Sequence, residues 1–178
     1  ITTGRCRAWD TAASIPTESS PKCDATAGTK MSRDKMGMYY VEHCNVFRKL
    51  TDGVLREIAD TARKDGLDVP VVLEKDTGAG GKIANAYFTR YLSEQGIIVR
   101  SVQMSGHSGK IQRFLPFAQM AEAGLINIVR YGDERDDWIE PWLVELESFS
   151  GARGNHDDMV DSTASAFNTL CKTQTLPI

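Results

Sequence analysis

Three groups of acidic residues stand where carboxylates can converge. Asp10 closes the β-prone run Arg5–Asp10, and Leu73-Glu74-Lys75-Asp76 lies where the apolar run Val69–Glu74 gives way to Gly78-Ala79-Gly80-Gly81-Lys82. An Asp at such a strand end projects into the crevice at the carboxyl edge of a sheet. Glu74, two residues before Asp76, falls on the same strand face and can assist it. Near the C-terminus, His156-Asp157-Asp158-Met159-Val160-Asp161 opens a helical stretch. Asp158 and Asp161, three apart, face the same way from its first turn, while Asp157 points elsewhere, as a cap would. Singly, an Asp after a strand is commonly a turn residue and an Asp at a helix start commonly a cap. As a set, Asp10, Asp76, Asp158 and Asp161 make oxygen ligands for one or two hard divalent cations, Mg²⁺ or Mn²⁺. Two such ions activate water and stabilise the leaving oxygen in phosphodiester hydrolysis.

Other motifs carry less. With Gly81-Lys82 as the Gly-Lys of a phosphate loop, the first glycine position is Asp76 and the closing hydroxyl position is Ile83, so no ATP site is formed. Cys6, Cys23, Cys44 and Cys171 show no CxxC spacing, which excludes a paired zinc site and reads as free, mostly buried thiols of an intracellular protein. Lys82, Lys110 and Arg113 are candidates for the phosphate backbone of a nucleic acid, with ion pairs to Glu122 or Asp side chains as the alternative for the last two. His107 lies in the polar loop Ser105–Gly109, His156 orients the acidic cluster or caps its helix, and His43 has no role. Trp9 belongs to a central strand and packs in the core, and Trp138 and Trp142, a helical turn apart, form the buried side of one helix.

The elements that must position these residues are readable from periodicity. After the strand ending at Asp10 comes a polar, proline-containing loop, Ser14–Cys23, and then two β-prone runs, Ala25–Ser32 and Met38–Val46, joined across Gly37 as an antiparallel hairpin. Leu50, Val54, Leu55, Ile58, Ala59 and Ala62 recur at helical spacing up to Asp65, with Gly66 beyond. Strand Val69–Glu74, a helix over Ile83–Leu92 stopping near Gly96, and strand Ile97–Val102 follow. Next come a helix over Phe114–Ala123 with Pro116 near its start, strand Ile126–Val129, and helices Asp136–Ser148 and Asp158–Leu170. An antiparallel start followed by βα alternation predicts one α/β domain over residues 1–178. Its mixed sheet is that of a ribonuclease H-like fold, and pattern alone also admits a flavodoxin-like arrangement.

The chain of 178 residues, 41% hydrophobic and 25% charged, can bury a real core and is not disordered. It contains neither a transmembrane run nor a secretory signal, and no membrane partner is expected. Net charge is -3, but it is unevenly spread. Residues 1–118 hold 17 Lys and Arg against 13 Asp and Glu, and residues 119–178 hold 4 against 11. A basic stretch from Lys82 to Arg113 beside clustered carboxylates suits a metal-dependent enzyme acting on a polyanion.

Five blocks together resemble the C-terminal nuclease domain of the large terminase subunit of tailed bacteriophages. They are Arg7-Ala8-Trp9-Asp10-Thr11-Ala12, Asp24-Ala25-Thr26-Ala27-Gly28, Glu74 to Lys82, Lys110 to Gly124, and His156-Asp157-Asp158-Met159-Val160-Asp161-Ser162. The resemblance runs in the family's order from Arg5 to about Leu170. It implies a ribonuclease H-like fold and a metal-dependent endonuclease that cuts double-stranded concatemeric viral DNA during packaging. Asp10, Asp76 and the last acidic cluster are the implied ligands of two divalent cations. Within that cluster the choice among Asp157, Asp158 and Asp161 stays open, although related resolvases place two ligands three residues apart. The implied partners are DNA, the terminase ATPase domain, the small terminase subunit and the portal, in the host cell cytoplasm at the viral procapsid. Without a Walker motif, and starting at Ile1, the chain is expected to be the nuclease part of a longer terminase. A resolvase-like nuclease for branched DNA and a non-catalytic module docking DNA or the portal are the alternatives.

Overall fold

The computed structural model describes residues 2–12, 23–75, 78–103, 109–151 and 157–172. Six strands, β1 (Thr2–Asp10), β2 (Thr26–Asp34), β3 (Tyr39–Phe47), β4 (Val71–Glu74), β5 (Val99–Val102) and β6 (Ile126–Ile128), make one sheet in the order β5-β4-β1-β2-β3-β6. The first three pair antiparallel, and β1–β4, β4–β5 and β3–β6 pair parallel, so the sheet is mixed as expected. Among the described residues five α-helices cover it: α1 (Thr51–Asp65), α2 (Ala79–Ser93), α3 (Lys110–Glu122), α4 (Ile139–Ser148) and α5 (Asp158–Lys172). No helix among the described residues is long and apolar enough to cross a membrane.

Side-chain alternation in β1 divides the core. Trp9 packs on one face with Val71 and Leu73 of β4, Val54, Leu55 and Ile58 of α1, and Phe88 and Leu92 of α2. Cys6 and Ala8 point to the other face, against Phe117 of α3, Trp142 of α4 and Phe167 of α5. Asp10 shares the parity of Cys6 and Ala8. Trp9 lies opposite Gly28 in the β1–β2 pair, and a Cβ on Gly28 would stand 2.3 Å from the indole. Glycine is what lets the ring lie flat across the neighbouring strand.

Arg7, also on the Trp9 face, is buried because its charge is fully spoken for. Its Nε lies 2.5 Å from Asp65 Oδ2, and Nη1 donates to the Gly28 carbonyl at 2.7 Å. Burial alone would raise Asp65, but Arg7 and Lys30 overcome it and hold the carboxyl below its ordinary range. His43 completes the group: burial, with Arg7 beside it, pushes its pKa down to about 4, so the neutral ring accepts from the guanidinium at 3.3 Å.

Helix α5 is buried nearly all round, since the sheet lies on one side and α3 and α4 on the other. Small polar residues make that possible. Thr29 Oγ1 on β2 bonds Ser162 Oγ at 2.9 Å and Thr163 Oγ1 at 3.1 Å, and Trp142 Nε1 donates to Thr163 Oγ1 at 2.9 Å. All four cysteines are free thiols, three of them buried. Helix α3 begins four residues before the expected Phe114, which puts Lys110 and Arg113 in its first turn. The next helix starts at Ile139 rather than Asp136, after a short 3-10 turn at Glu134–Asp136.

Candidate active site

Parallel pairing of Trp9 with Leu73 brings the ends of β1 and β4 side by side, so Asp10 and Glu74 close adjacent strands. The first turn of α5, carrying Asp158 and Asp161, lies over the same edge of the sheet. The effect is plainest at Asp10, whose pKa is raised to about 8. Loss of solvent is the main cause, followed by the negative charges of Asp161, Glu74 and Asp158. Glu74 is raised as well, by burial and then by Asp161, although Arg113 pulls it down. Among the described residues no hydrogen bond closes on its buried Oε1, although the hydroxyl of Ser165 lies near enough to lower its pKa.

The first turn of α3 answers this charge. Lys110 Nζ lies 2.6 Å from Asp157 Oδ1 and 2.9 Å from Asp161 Oδ2. Arg113 spans Asp161 Oδ1 at 3.1 Å and Glu74 Oε2 at 3.4 Å. Although burial opposes it, these carboxylates hold the Lys110 pKa well above its ordinary value. Asp158 turns its Oδ2 to the backbone N–H of Ala25 at 3.0 Å, which fixes the start of β2 against α5.

Asp10, Asp158 and Asp161 of the expected ligand set are thus drawn to one edge of the sheet, with Glu74 among them. Asp76 lies outside the described residues, as do His107 and His156. Lys82 is exposed in the first turns of α2, on the opposite face of the sheet from α3. Lys110 and Arg113 direct their charge onto the carboxylates. His43 belongs to the Arg7 group on the other face, and Trp9 and Trp142 are buried core residues. Beside Glu74, a cavity of about 190 Å³ is lined by Thr11, Leu73, Gly81, Ala84, Asn85 and Phe88.

Two contributors carry no signal in the sequence. Asn85 Nδ2 donates to the Glu74 carbonyl at 3.2 Å while its Oδ1 accepts from Ser101 Oγ at 3.0 Å, clamping α2 to the ends of β4 and β5. Glu145, from α4, accepts at Oε1 from the N–H groups of Met159 at 2.7 Å and Val160 at 3.1 Å.

The donor chemistry fits a hard divalent cation: all the groups are carboxylates, and Glu74 Oε1 is buried with no hydrogen bond closed on it among the described residues. Among the described residues, no three carboxylate, histidine or thiol groups are drawn together closely enough to hold an ion by themselves. Positive charge at the cluster is supplied by Lys110 and Arg113.

Residues 7–170 match the family model of the terminase RNaseH-like domain. The chain belongs to that family. The expected terminase nuclease domain and its ribonuclease H-like fold are therefore met, and the flavodoxin-like arrangement falls away. The large terminase nuclease of the thermophilic phage G20c, a structure with bound cobalt, aligns at a TM-score of 0.62 and 20% identity, covering 93% of this chain and 80% of that one. The fowlpox virus resolvase, in complex with Holliday junction DNA, aligns at 0.57 with 16% identity over 96% of this chain and 99% of that one. For the yeast mitochondrial Holliday junction resolvase the values are 0.53, 12%, 90% and 77%. At such identities these likenesses speak for the fold. Comparison with curated protein sequences gives no significant match.

Proposed function

We propose that this terminase domain is a metal-dependent endonuclease that cleaves double-stranded concatemeric viral DNA during genome packaging, by phosphodiester hydrolysis with two divalent cations, Mg²⁺ or Mn²⁺. The observation that carries the reading is geometric: Asp10 and Glu74 close adjacent parallel strands, and the first turn of α5 brings Asp158 and Asp161 to the same sheet edge. Asp10, Asp158 and Asp161 would hold the cations, together with Asp76 beyond the end of β4, and Glu74 would assist. Bound there, such cations would supply activation of water and charge stabilisation at the departing oxygen.

The chain's own residues do the rest. Glu74 and Asp10 are anchored on adjacent strands, so their spacing does not depend on loop conformation. Lys110 and Arg113 balance the acidic cluster in the absence of substrate and are placed to take up a phosphate as DNA enters. Lys82, on α2, meets a flanking phosphate from the other side of the strand ends. Such contacts recognise backbone rather than bases, in keeping with little sequence preference. The same reading makes the domain the C-terminal part of a longer large terminase subunit, working beside its ATPase domain with the small subunit and portal. That work takes place in the host cell cytoplasm, at the viral procapsid.

The test is cleavage of a labelled linear duplex and a four-way junction of equal length, each in Mn²⁺, Mg²⁺ and EDTA. The reading predicts metal-dependent cutting of both without strong junction preference. Strong selectivity for the junction would make the protein a resolvase-like nuclease. Salt-sensitive binding with no cutting in either metal would make it a docking module.

A further inference from the structure

Helix α5 presents the acidic first turn, and its N-terminal N–H groups need acceptors. Asp157 occupies the position before the helix: its carbonyl accepts from Asp161 N at 2.9 Å, and an Asp there ordinarily caps the second and third helical N–H groups with its own side chain. Those two groups belong to Met159 and Val160, and both donate to Glu145 of α4 instead. Asp157 Oδ1 meanwhile lies 2.6 Å from Lys110. The capping carboxylate comes from a different helix, and the local one faces the cluster.

The packing of α4 on α5 explains how Glu145 reaches that turn. Trp142 Nε1 bonds Thr163, and Glu145, three residues further along α4, bonds Val160, three residues earlier in α5. These are successive rungs of one antiparallel helix contact. The first turn of α5 is thereby tied to α4 and, through Asp158 and Ala25 N, to the start of β2.

We infer that Glu145 is a positioning residue that caps α5 from α4 and so lets the carboxylate of Asp157, paired with Lys110, face the acidic site beside Asp161. The inference rests on the reading of that cluster as the reactive centre. A double-substitution cycle of Glu145→Ala and Asp157→Ala, followed by Tm, tests the cap without reference to activity. With Glu145 gone, Asp157 turns to cap the helix, so Asp157→Ala lowers Tm more in the Glu145→Ala background than alone. Isothermal titration with Mn²⁺ tests the consequence: Glu145→Ala weakens binding about tenfold, the low end of what outer-shell partners contribute. Glu145→Gln, which keeps an acceptor oxygen, stays close to the original protein.

Additive effects in the cycle would overturn the inference. So would Glu145→Gln behaving like Glu145→Ala, or unchanged Mn²⁺ affinity in Glu145→Ala despite a lowered Tm. Failure of the unsubstituted protein to bind Mn²⁺ would sink the metal reading, and the Tm cycle would still decide the cap.

Discussion

Replacing Gly28 by Ala adds one methyl group at the place least able to take it. The new Cβ would lie 2.3, 2.4 and 2.6 Å from three carbons of the Trp9 indole, about 1 Å inside ordinary contact. Neither side can give way cheaply. The ring is 1% exposed and packs edge-on against Phe47 at 5.8 Å, and Gly28 is held between β1 and β3, its carbonyl bonded by Arg7. Overpacking costs about 1–3 kcal/mol, and rigid surroundings on every side argue for the upper end. At roughly 2–4 °C per kcal/mol for a chain of this length, Gly28→Ala lowers Tm by about 6–12 °C. Calorimetry with chemical denaturation measures both quantities. Trp9→Leu in the same background identifies the cause: with the indole removed, the added methyl has room, so the double variant is more stable than the sum of the two losses by at least ~1 kcal/mol. A Gly28→Ala Tm within about 1 °C of the original, or simple additivity with Trp9→Leu, would refute the collision.

Three further outcomes follow from the electrostatics. Asp10 is an acid whose folded pKa, about 8, lies above its ordinary 3.8; the folded state therefore binds the extra proton between those values, and stability falls as pH rises from about 4 to 8. Asp10→Asn removes that contribution and raises Tm most at pH 8 and above while abolishing cleavage, though Glu145, raised to about 7, leaves part of the slope; an unchanged Tm–pH profile would contradict the shift. His43 has the opposite sign: its folded pKa of about 4 lies below 6.5, so its contribution is lost as pH falls through that interval, and His43→Gln narrows the acid loss seen in thermal melts. Lys110→Ala removes an ammonium that competes for Asp157 and Asp161, and it tightens Mn²⁺ binding by calorimetry about fivefold, the ~1 kcal/mol upper end for a partly exposed ion pair. Weaker binding would mean that the ammonium orders the carboxylates instead.

What could be read from the sequence was local. Asp10 announces itself because a β-prone run ends there, Glu74 because an apolar run does, and the two Asp residues opening α5 because three-residue spacing fixes their relative direction on any helix. Long-range partners left no such trace. The start of α3 was expected at Phe114, where apolar periodicity begins, yet the helix begins at Lys110. Its first turn is set by ion pairs to Asp157 and Asp161, 47 or more residues away. Glu145 carries no signal in the sequence, and only the packing of α4 on α5 brings it to the backbone of Met159 and Val160. Periodicity identifies α5 as a helix but not its depth: it is enclosed on nearly all sides, which its small polar residues allow and its pattern does not reveal. The basic stretch from Lys82 to Arg113 suggested one continuous face, whereas the fold divides it between α2 on one side of the sheet and α3 on the other.

The central claim is that the carboxylates at the ends of β1 and β4 and the start of α5 form a DNA-cleaving centre. Conversion of supercoiled plasmid to nicked and linear forms, followed over time in Mn²⁺, Mg²⁺ and EDTA for the protein and its Asp10→Asn variant, tests it most directly. The account predicts conversion in Mn²⁺ or Mg²⁺, none in EDTA, and none by a folded Asp10→Asn protein. Equal cutting by Asp10→Asn, or cutting that persists in EDTA, would contradict it.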